Sequence, residues 1–380
     1  MTYFKHICVE GYKRLRQVDL EMHDLTVLIG ANGVGKTSFL EVWTLLAAMC
    51  EGRLSRRLSD LSGVSEIVTR DTNDAITIEL AMPIDNYEPI DYRIQIEPQA
   101  QNYRIVSESL SQQRTGYEEP FFHITAKGHQ VQYYDGNGLV HPTWEHNENE
   151  TALSQVPKMF KQSEDFRHRL ASVTYYGPLD VSSKGPIRLP QQLRPASLPG
   201  ANGEDLISCL YQLRETDHER YERITDTLSA AFSDFERLDF PPVAAGMLSM
   251  TWKDRNFTHP MYMHQLSEGT LRFLWLATLL QSSSLPTITL IDEPEVSLHP
   301  ELLRLLVELM REASIRTQLI VATHSDRLVG FSEPSEVLVA DINENGVASF
   351  TWADKMDIEK WLEDYSLDQL WQMNLLGGRP

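Results

Sequence analysis

A glycine-rich segment between an apolar run and a helical pattern constrains the fold of this chain more than any other feature. The segment reads GANGVGKT over residues 30–37 and fits the pattern G-x-x-x-x-G-K-[ST]. The apolar residues 25–29 before it predict a strand, and residues 36–49 after it predict a helix. A strand, a glycine turn and a helix in this order predict an α/β protein whose turn cradles a phosphate.

The residue types of this turn predict the role of each position. Glycines let several backbone N–H groups converge on a β-phosphate, and the N-terminus of the following helix adds positive potential. Lys36 is expected to bridge the β- and γ-phosphates, and Thr37 is expected to ligate Mg²⁺. The alternative is a chance glycine turn before a helix. The predicted phosphate-binding residues are Asn32, Gly33, Val34, Gly35, Lys36, Thr37 and Ser38.

Two adjacent carboxylates follow a second apolar run. Residues 287–291 predict a buried strand that ends at Asp292 and Glu293. Ligands bind at the carboxyl ends of the strands in open α/β sheets, so Asp292 suits the Mg²⁺ shell. Glu293 points elsewhere and suits a base that orients or deprotonates an attacking water. Taken alone, an acidic pair after a strand is more often a turn or a helix cap.

A histidine follows a third apolar run in the same manner. Residues 319–322 predict a strand, and His324 comes two residues later, in the sequence ATHS. At a strand's carboxyl end it is expected to lie near the γ-phosphate and to sense it. A lone histidine at a strand end is usually a structural, hydrogen-bonded residue.

A capped helix gives a second candidate anion site. Residues 266–270 read LSEGT and precede a stretch that is apolar at helical spacing. Ser267 is the expected N-cap, and Gly269 allows an anion to approach the free N–H groups closely. A simple capped helix is the structural alternative. The candidate residues here are Ser267, Glu268 and Gly269.

The rest of the chain divides by pattern. Short alternating segments over residues 75–137 predict an antiparallel β lobe, and residues 204–235 predict an inserted helical lobe after a Pro/Gly/Ser-rich loop. Strands that alternate with helices elsewhere predict a mixed central sheet. Residues 337–350 predict a hairpin that turns at Glu344, Asn345 and Gly346. We find no repeat and no sustained heptad pattern, so long coiled-coil arms are not expected.

Charge and composition exclude some classes of partner. The net charge of −20 disfavours uniform coating of DNA, although residues 1–57 hold eight Lys and Arg against six acids. An ordinary surface with an acidic majority is the simpler interpretation. The chain has no apolar run near the ~20 residues that cross a bilayer and no signal-peptide pattern, so a cytoplasmic protein without membrane contact is expected. Cys8, Cys50 and Cys209 lie far apart and show no zinc-ligand spacing.

Together, the glycine loop, the LSEGT segment, the acidic pair and His324 resemble the Walker A, signature, Walker B and switch histidine of ABC-type ATPases. The sequence EGYKRL over residues 10–15 and EVSLHP over residues 295–300 look like the RecF, SMC and OLD branch of that family. These motifs cover the two ends of the chain, roughly residues 1–50 and 260–330. The family's Q-loop glutamine cannot be placed by sequence; the candidates are Gln95, Gln99, Gln112, Gln130 and Gln155.

The resemblance implies an ABC-type P-loop ATPase head without arms over residues 1–356. Its nucleotide-binding core is expected from residues 1–70 and 245–356, with an inserted lobe over about 71–244 and a C-terminal helical tail over 357–380. It further implies a homodimer, in which Ser267 and Gly269 of one chain contact the γ-phosphate of Mg-ATP held by Lys36 of the other. ATP would join the dimer, and hydrolysis would loosen it.

The resemblance also guides the expected partners. OLD nucleases append a metal-dependent nuclease with a D-x-D pair, and the 56 residues after His324 contain none, so a separate effector, a nuclease or toxin, is expected. The leading hypothesis is therefore a regulatory ATPase in bacterial anti-phage defence or DNA repair. The alternatives are a RecF-like clamp that binds DNA directly and, less fitting, the motor half of a transporter. Docking of the tail on the chain's own core is expected, with a partner surface as the alternative.

Overall fold

The strands form two large sheets. The computed structural model describes residues 3–70, 74–100, 102–343 and 346–378. Within these ranges the strands are β1 (His6–Tyr12), β2 (Leu15–Glu21), β3 (Leu25–Gly30), β4 (Ile76–Ile84), β5 (Tyr87–Gln99), β6 (Asn102–Gln112), β7 (Phe121–Lys127), β8 (Gln130–Tyr134), β9 (Leu139–Val140), β10 (Val173–Tyr176), β11 (Gln191–Gln192), β12 (Phe235–Asp239), β13 (Met247–Leu248), β14 (Thr251–Asp254), β15 (Met261–Tyr262), β16 (Ile288–Asp292), β17 (Gln318–Ala322), β18 (Val337–Ile342) and β19 (Ala348–Trp352).

The α-helices lie mainly against the central sheet. Across the described residues they are α1 (Lys36–Cys50), α2 (Leu54–Asp60), α3 (Val64–Ile67), α4 (Lys161–Ala171), α5 (Leu206–Thr216), α6 (His218–Ala231), α7 (Glu268–Leu280), α8 (Pro300–Ser314), α9 (Asp326–Gly330), α10 (Glu359–Leu362) and α11 (Leu367–Gln372). No helix in this part of the chain is both long enough and apolar enough to cross a bilayer.

The central sheet is mixed, as predicted. Its strand order is β10-β16-β17-β3-β18-β19, and every neighbouring pair is parallel except β18 with β19. The parallel strands are almost wholly apolar because helices or the second sheet cover both of their faces. The β18–β19 pair confirms the predicted hairpin, although Glu344 and Asn345 of its turn lie outside the described residues.

The second sheet is antiparallel, in the order β2-β1-β4-β5-β6-β7-β8-β9. Its strands β4 to β8 confirm the predicted β lobe over residues 75–137, and β9 follows just beyond that range. Helix α1 lies between the two sheets, and Phe39, Leu40 and Trp43 of this helix share one hydrophobic cluster with both. The predicted helix over 36–49 is therefore confirmed as a buried element, and the loop before it is fixed from two sides.

A second hydrophobic cluster covers the other face of the central sheet. It joins alternate residues of the parallel strands, such as Val27 and Val321, to α5, α6, α7 and α8. The pairs α5–α6, α6–α7 and α7–α8 each make contact. The residues predicted as an inserted helical lobe thus pack directly against the sheet that carries the glycine loop.

Strand pairing crosses the boundary between the predicted core and the predicted inserted lobe. Strand β10 falls within the range of about 71–244 assigned to the insertion, yet it pairs in parallel with β16 at the edge of the central sheet. Strands β1 and β2 fall within the range 1–70 assigned to the core, yet β1 pairs with β4 in the antiparallel sheet. Sheet pairing between distant segments is not visible in the local patterns from which the boundaries were taken. As independent folding units, the two parts stay a prediction.

The tail packs on the chain's own core. Leu370 and Trp371 of α11 are 0 % and 2 % exposed and belong to the second hydrophobic cluster. Helix α11 contacts α9, and Gln372 Nε2 donates a hydrogen bond to Asp326 Oδ2 at 2.6 Å. Trp361, in contrast, is 45 % exposed. The expected docking is confirmed over the described part of the tail, which leaves out Arg379 and Pro380.

Substitution of one buried and one exposed tryptophan tests the packing of the tail. Trp371→Ala is expected to lower the free energy of unfolding by about 3–5 kcal/mol, because it leaves a cavity in a buried cluster. Trp361→Ala removes a side chain of equal size that is largely solvated, and the expected loss is at most about 1 kcal/mol. Urea unfolding of both variants measures the difference. Equal losses would contradict the described docking of α11.

Candidate nucleotide site

The glycine loop joins β3 to α1 in a conformation that requires glycine. Gly30 has φ of 150°, and a Cβ built on it would lie 2.3 Å from the carbonyl oxygen of Ala340. Gly35 has φ of 120° and stands directly before α1, where no side chain caps the helix. The first N–H groups of α1 therefore remain available to an anion, and the first turn holds no acidic residue that would repel it.

Lys36 lies folded over this loop. Its Nζ donates hydrogen bonds to the carbonyl oxygens of Gly30 at 2.6 Å and Ala31 at 3.0 Å, and the residue is 6 % exposed. Burial lowers the pKa of Lys36 to about 8, against the opposing effect of the Asp292 and Glu293 carboxylates. The ammonium of Lys36 can attract a phosphate group, whereas Asp292 and Glu293 would repel it unless a cation bound between them.

The predicted residues of the loop and of two strand ends line one cavity of about 340 Å³. Val34 is the exception: its side chain is fully buried beneath the loop and is not among the described residues that line the cavity. Lys13 and Arg14, from the tight β1–β2 turn, also line it and had been assigned no role by sequence. The described residues that line it are Lys13, Arg14, Asn32, Gly33, Gly35, Lys36, Thr37, Ser38, Asp292, Glu293 and His324.

Parallel pairing brings the acidic pair to this cavity. Asp292 ends β16 and pairs in register with Ala322, the last residue of β17. Its Oδ2 accepts a hydrogen bond of 3.0 Å from the hydroxyl of Tyr175 on β10. Burial raises the pKa of Asp292, and the Tyr175 hydrogen bond acts in the opposite direction. Tyr175 belongs to a segment for which the sequence suggested no motif, because its role depends on an edge strand that no local pattern reveals.

Glu293 and His324 face each other across the ends of neighbouring strands. The two side chains approach to 4.0 Å between Glu293 Oε1 and His324 Nε2. Glu293 has φ of 50°, a conformation that is uncommon for a residue with a side chain, and its N–H donates to Ala322 O at 2.8 Å. Burial, with help from Lys36, lowers the pKa of His324, so the neutral imidazole is favoured.

Glu295 connects the turn after β16 to the loop after β17, which carries His324. Its Oε1 accepts a hydrogen bond of 2.9 Å from the backbone N–H of His324. Burial raises the pKa of Glu295, and hydrogen bonds from Thr323 and His324 oppose the shift. The sequence placed Glu295 in a family-like segment but gave it no role. The missing information was the contact between two loops that are 29 residues apart in the chain.

The predicted signature segment lies apart from the cavity. Ser267 caps α7 by accepting a hydrogen bond of 3.1 Å from the N–H of Thr270, which confirms the predicted N-cap. Ser267 and Glu268 are exposed, and Ser267 lines a different depression together with Thr270. Among the described residues, one chain therefore does not bring Ser267, Glu268 and Gly269 into the cavity of Lys36.

Close packing joins the start of α7 to the turn after β16. A Cβ built on Gly269 would lie 2.5 Å from the carbonyl oxygen of Ser297. Ser297 has φ of 63°, and its Oγ donates a hydrogen bond of 3.4 Å to Glu268 Oε2. Gly269 therefore permits a backbone approach that no other residue would allow at this distance.

None of the five candidate Q-loop glutamines is found among the described residues that line the cavity. Strands β5, β6 and β8 carry four of them, and the fifth, Gln155, bonds to the backbone of Asn147. The side chain that reaches Asp292 from the neighbouring edge strand is a tyrosine instead.

The donor set of the cavity fits Mg²⁺. Thr37 and Asp292 offer a hydroxyl and a carboxylate, the oxygen donors that this ion prefers. Over the described residues, no group of three or more His, Cys, Asp and Glu is placed to hold a metal ion. Mg²⁺ commonly binds proteins through one or two carboxylates together with substrate phosphates, and this cavity provides that arrangement beside a phosphate loop.

Comparison with known proteins agrees with this geometry. A family model described as "AAA domain, putative AbiEii toxin, Type IV TA system" matches residues 25–330. No curated protein matches the sequence. Among solved structures, an SMC head bound to the C-terminal winged-helix domain of ScpA has a TM-score of 0.54 at 16 % identity and covers 92 % of this chain and 97 % of its own.

Two archaeal structures give a similar result. The Smc head domain of Pyrococcus furiosus, bound to the C-terminal domain of ScpA, has a TM-score of 0.53 at 14 % identity. The Smc head domain of Pyrococcus yayanosii has a TM-score of 0.51 at 11 % identity, and each match covers 96 % of this chain and 99 % of the other. The ABC-type α/β head is thus confirmed as the fold. The RecF and OLD parts of the resemblance stay predictions.

Two glycines test the contact between α7 and Ser297. Gly269→Ala is expected to lower the free energy of unfolding by about 1–3 kcal/mol, because the new methyl group would overlap the Ser297 carbonyl. Gly138→Ala is the matched control: no atom lies within 4 Å of its built Cβ, and the expected change is about 0.5 kcal/mol or less. Chemical denaturation distinguishes the two. A Gly269→Ala variant as stable as the control would disprove the close approach.

Proposed function

The chain belongs to the family of AAA domains described as "putative AbiEii toxin, Type IV TA system", and on that premise we propose that it is an ATPase switch that closes into a homodimer around Mg-ATP. The observation that carries the proposal is the single cavity lined by Lys36, Thr37, Asp292, Glu293 and His324. A phosphate loop, an oxygen donor set for Mg²⁺ and a base beside a histidine are the parts that phosphoryl transfer to water requires.

Each side chain has a distinct task in this proposal. Lys36 exchanges its bonds to the loop carbonyls for bonds to the β- and γ-phosphates. Thr37 and Asp292 hold Mg²⁺, which neutralises charge on the phosphates. Glu293 orients the attacking water and accepts its proton. His324, neutral because of its lowered pKa, donates a hydrogen bond to the γ-phosphate.

The exposed position of Ser267 supports dimerisation around ATP. The N-terminus of α7 offers backbone N–H groups to an anion, although Glu268 in its first turn opposes this effect, and it lies outside the cavity of its own chain. In a head-to-tail pair, Ser267 and Gly269 of one chain bind the γ-phosphate held by Lys36 of the other. Binding of ATP then stabilises the pair, and loss of the γ-phosphate weakens it because one of its ligands is gone.

The output of the switch is proposed to be control of a separate effector, a nuclease or toxin, in bacterial anti-phage defence or DNA repair. The family description names a toxin and a type IV TA system, which supports an arrangement of this kind. The described residues supply the parts of an ATPase, and the described part of the tail packs on the core of the chain.

A RecF-like clamp that binds DNA directly is the second candidate, and one observation favours it. Arg53, Arg56 and Arg57 line a single depression next to the C-terminal part of α1, on a chain whose net charge is −20. Arg53 pairs with Glu51, and Arg57 donates a hydrogen bond of 2.9 Å to Thr44, so part of this charge is already engaged. Glu51 and Asp60 line the same depression, so its three arginines face two acids and only a small positive excess is left for contact with phosphates.

Substitution of Glu293 tests the catalytic core. Glu293→Gln is expected to retain ATP, to lower the rate of hydrolysis by about 100-fold or more, and to accumulate as an ATP-bound dimer. Lys36→Ala is expected to bind no nucleotide and to remain monomeric. Glu301→Gln, at the exposed start of α8, is the control and should keep the normal rate. Hydrolysis assays and sedimentation report both properties, and normal turnover by Glu293→Gln would refute the assigned base.

The two candidate functions differ in what the purified chain does to nucleic acid. A regulator of an effector is expected to hydrolyse ATP but to cleave no DNA or RNA until the product of a neighbouring gene is added. Cleavage by the chain alone would overturn that expectation. A clamp is expected to bind duplex DNA in a salt-dependent manner, more tightly with ATP, and to lose about one unit of the salt slope per arginine when Arg53, Arg56 and Arg57 are changed to Glu.

A further inference from the structure

Tyr175 lies on β10, the edge strand of the central sheet. Its side chain is on the same face of that sheet as the carboxylate of Asp292. In the pairing of β10 with β16, Tyr175 stands opposite Leu290 and Tyr176 stands opposite Ile291. Side chains alternate between the faces of a sheet, so Tyr175, Leu290 and Asp292 share one face. The hydroxyl of Tyr175 donates a hydrogen bond of 3.0 Å to Asp292 Oδ2.

Gly177 makes room for this tyrosine. A Cβ built on Gly177 would lie 3.1 Å from Cε1 and 3.3 Å from the hydroxyl oxygen of Tyr175. Both distances are tighter than ordinary van der Waals contact, so an added methyl group would push the ring and its hydroxyl away by a few tenths of an ångström and lengthen the bond to Asp292. The backbone of Gly177 lies outside the left-handed region, and alanine there would therefore change the space available rather than the path of the chain.

The tyrosine hydroxyl remains a donor beside the carboxylate. Tyrosine keeps its phenolic proton at neutral pH, and the hydroxyl of Tyr175 uses that proton in its hydrogen bond to Asp292 Oδ2. A protonated phenol can only donate to a carboxylate oxygen, and the bond fixes which of the two oxygens faces away from it. Tyr176, one residue later, packs its buried ring against Trp275 on the opposite face.

We propose that Tyr175 is a positioning residue of the metal site: its hydroxyl holds Asp292 Oδ2, so that Oδ1 is presented to the Mg²⁺ that accompanies the bound nucleotide. Gly177 supports this arrangement, because the lack of a side chain at this position leaves space for the ring of Tyr175. Hydrogen bonds to a metal-binding carboxylate orient the ligand, and loss of such a partner typically weakens metal affinity by about 10-fold to 100-fold. The inference rests on the nucleotide site proposed above.

Binding of Mn²⁺, used in place of Mg²⁺ and followed by the EPR signal of the free ion, tests the role of Tyr175 without turnover. In the presence of a non-hydrolysable ATP analogue, Tyr175→Phe in the full chain is expected to weaken Mn²⁺ binding by about 10-fold or more. Binding of the analogue in EDTA should not change, because Lys36 and the loop are untouched. Tyr176→Phe is the matched control and should bind Mn²⁺ like the unmodified chain.

A Gly177→Ala variant tests the same hydrogen bond by a second change, again through the affinity for Mn²⁺. It is expected to weaken Mn²⁺ binding as Tyr175→Phe does, and the double variant should be no worse than either single one, because both changes remove the same hydrogen bond. Additive losses would overturn the role of Gly177. Unfolding midpoints of all the variants, equal to that of the unmodified chain, would show that the loss is local.

The outcomes separate this inference from the proposed function. An unmodified chain that binds neither the analogue nor Mn²⁺ would overturn the nucleotide site itself. An unmodified chain that binds both, with a Tyr175→Phe variant that binds Mn²⁺ equally well, would overturn only the role of Tyr175.

Discussion

Parallel pairing of three strands is the constraint on which the site depends. Strand β17 lies between β3 and β16, so that Ala322 pairs with Leu28 on one side and with Asp292 on the other. All three strands end at the same edge, and the loops that leave them carry the phosphate loop, the acidic pair and His324. The N–H of Glu293 donates to the carbonyl of Ala322 just beyond the ladder and extends the pairing into the site. A shift in this register would separate groups that must act on one ligand.

The charges at that edge are costly until a ligand arrives. Burial lowers the pKa of Lys36 and raises that of Asp292, so each charged form is disfavoured by its surroundings. Lys36 offsets part of this penalty by donating hydrogen bonds to the loop carbonyls, and Asp292 does so by accepting a hydrogen bond from Tyr175. A magnesium triphosphate would give both groups stronger partners of opposite charge. Both groups would therefore gain from such a ligand, and the hydrophobic cluster that joins α1 to the two sheets holds the loop before α1 in place.

The sequence predicted the parts of this site that are encoded locally. The pattern of the glycine loop, the apolar run before Asp292 and the cap at Ser267 each occupy a few consecutive residues, and the structure has all three as strand ends or helix starts. Tyr175 and Glu295 escaped because their roles arise from contacts between segments 117 and 29 residues apart. Val34 was predicted to bind phosphate because it lies within the motif; its side chain is buried, and a contact through its backbone stays a prediction. Local pattern identifies a motif, whereas long-range pairing decides which of its atoms face the ligand.

One turn connects the cavity to the surface where a second copy would bind. Residues 293–297 begin at Glu293 and end at Ser297, and both of these residues have positive φ, which fixes the path of the turn. On one side the turn holds the His324 loop through Glu295, and on the other it packs against Gly269 at the start of α7. The start of α7 and the pair formed by Glu293 and His324 are therefore joined within one chain by a short turn and close backbone contacts, rather than through a flexible linker.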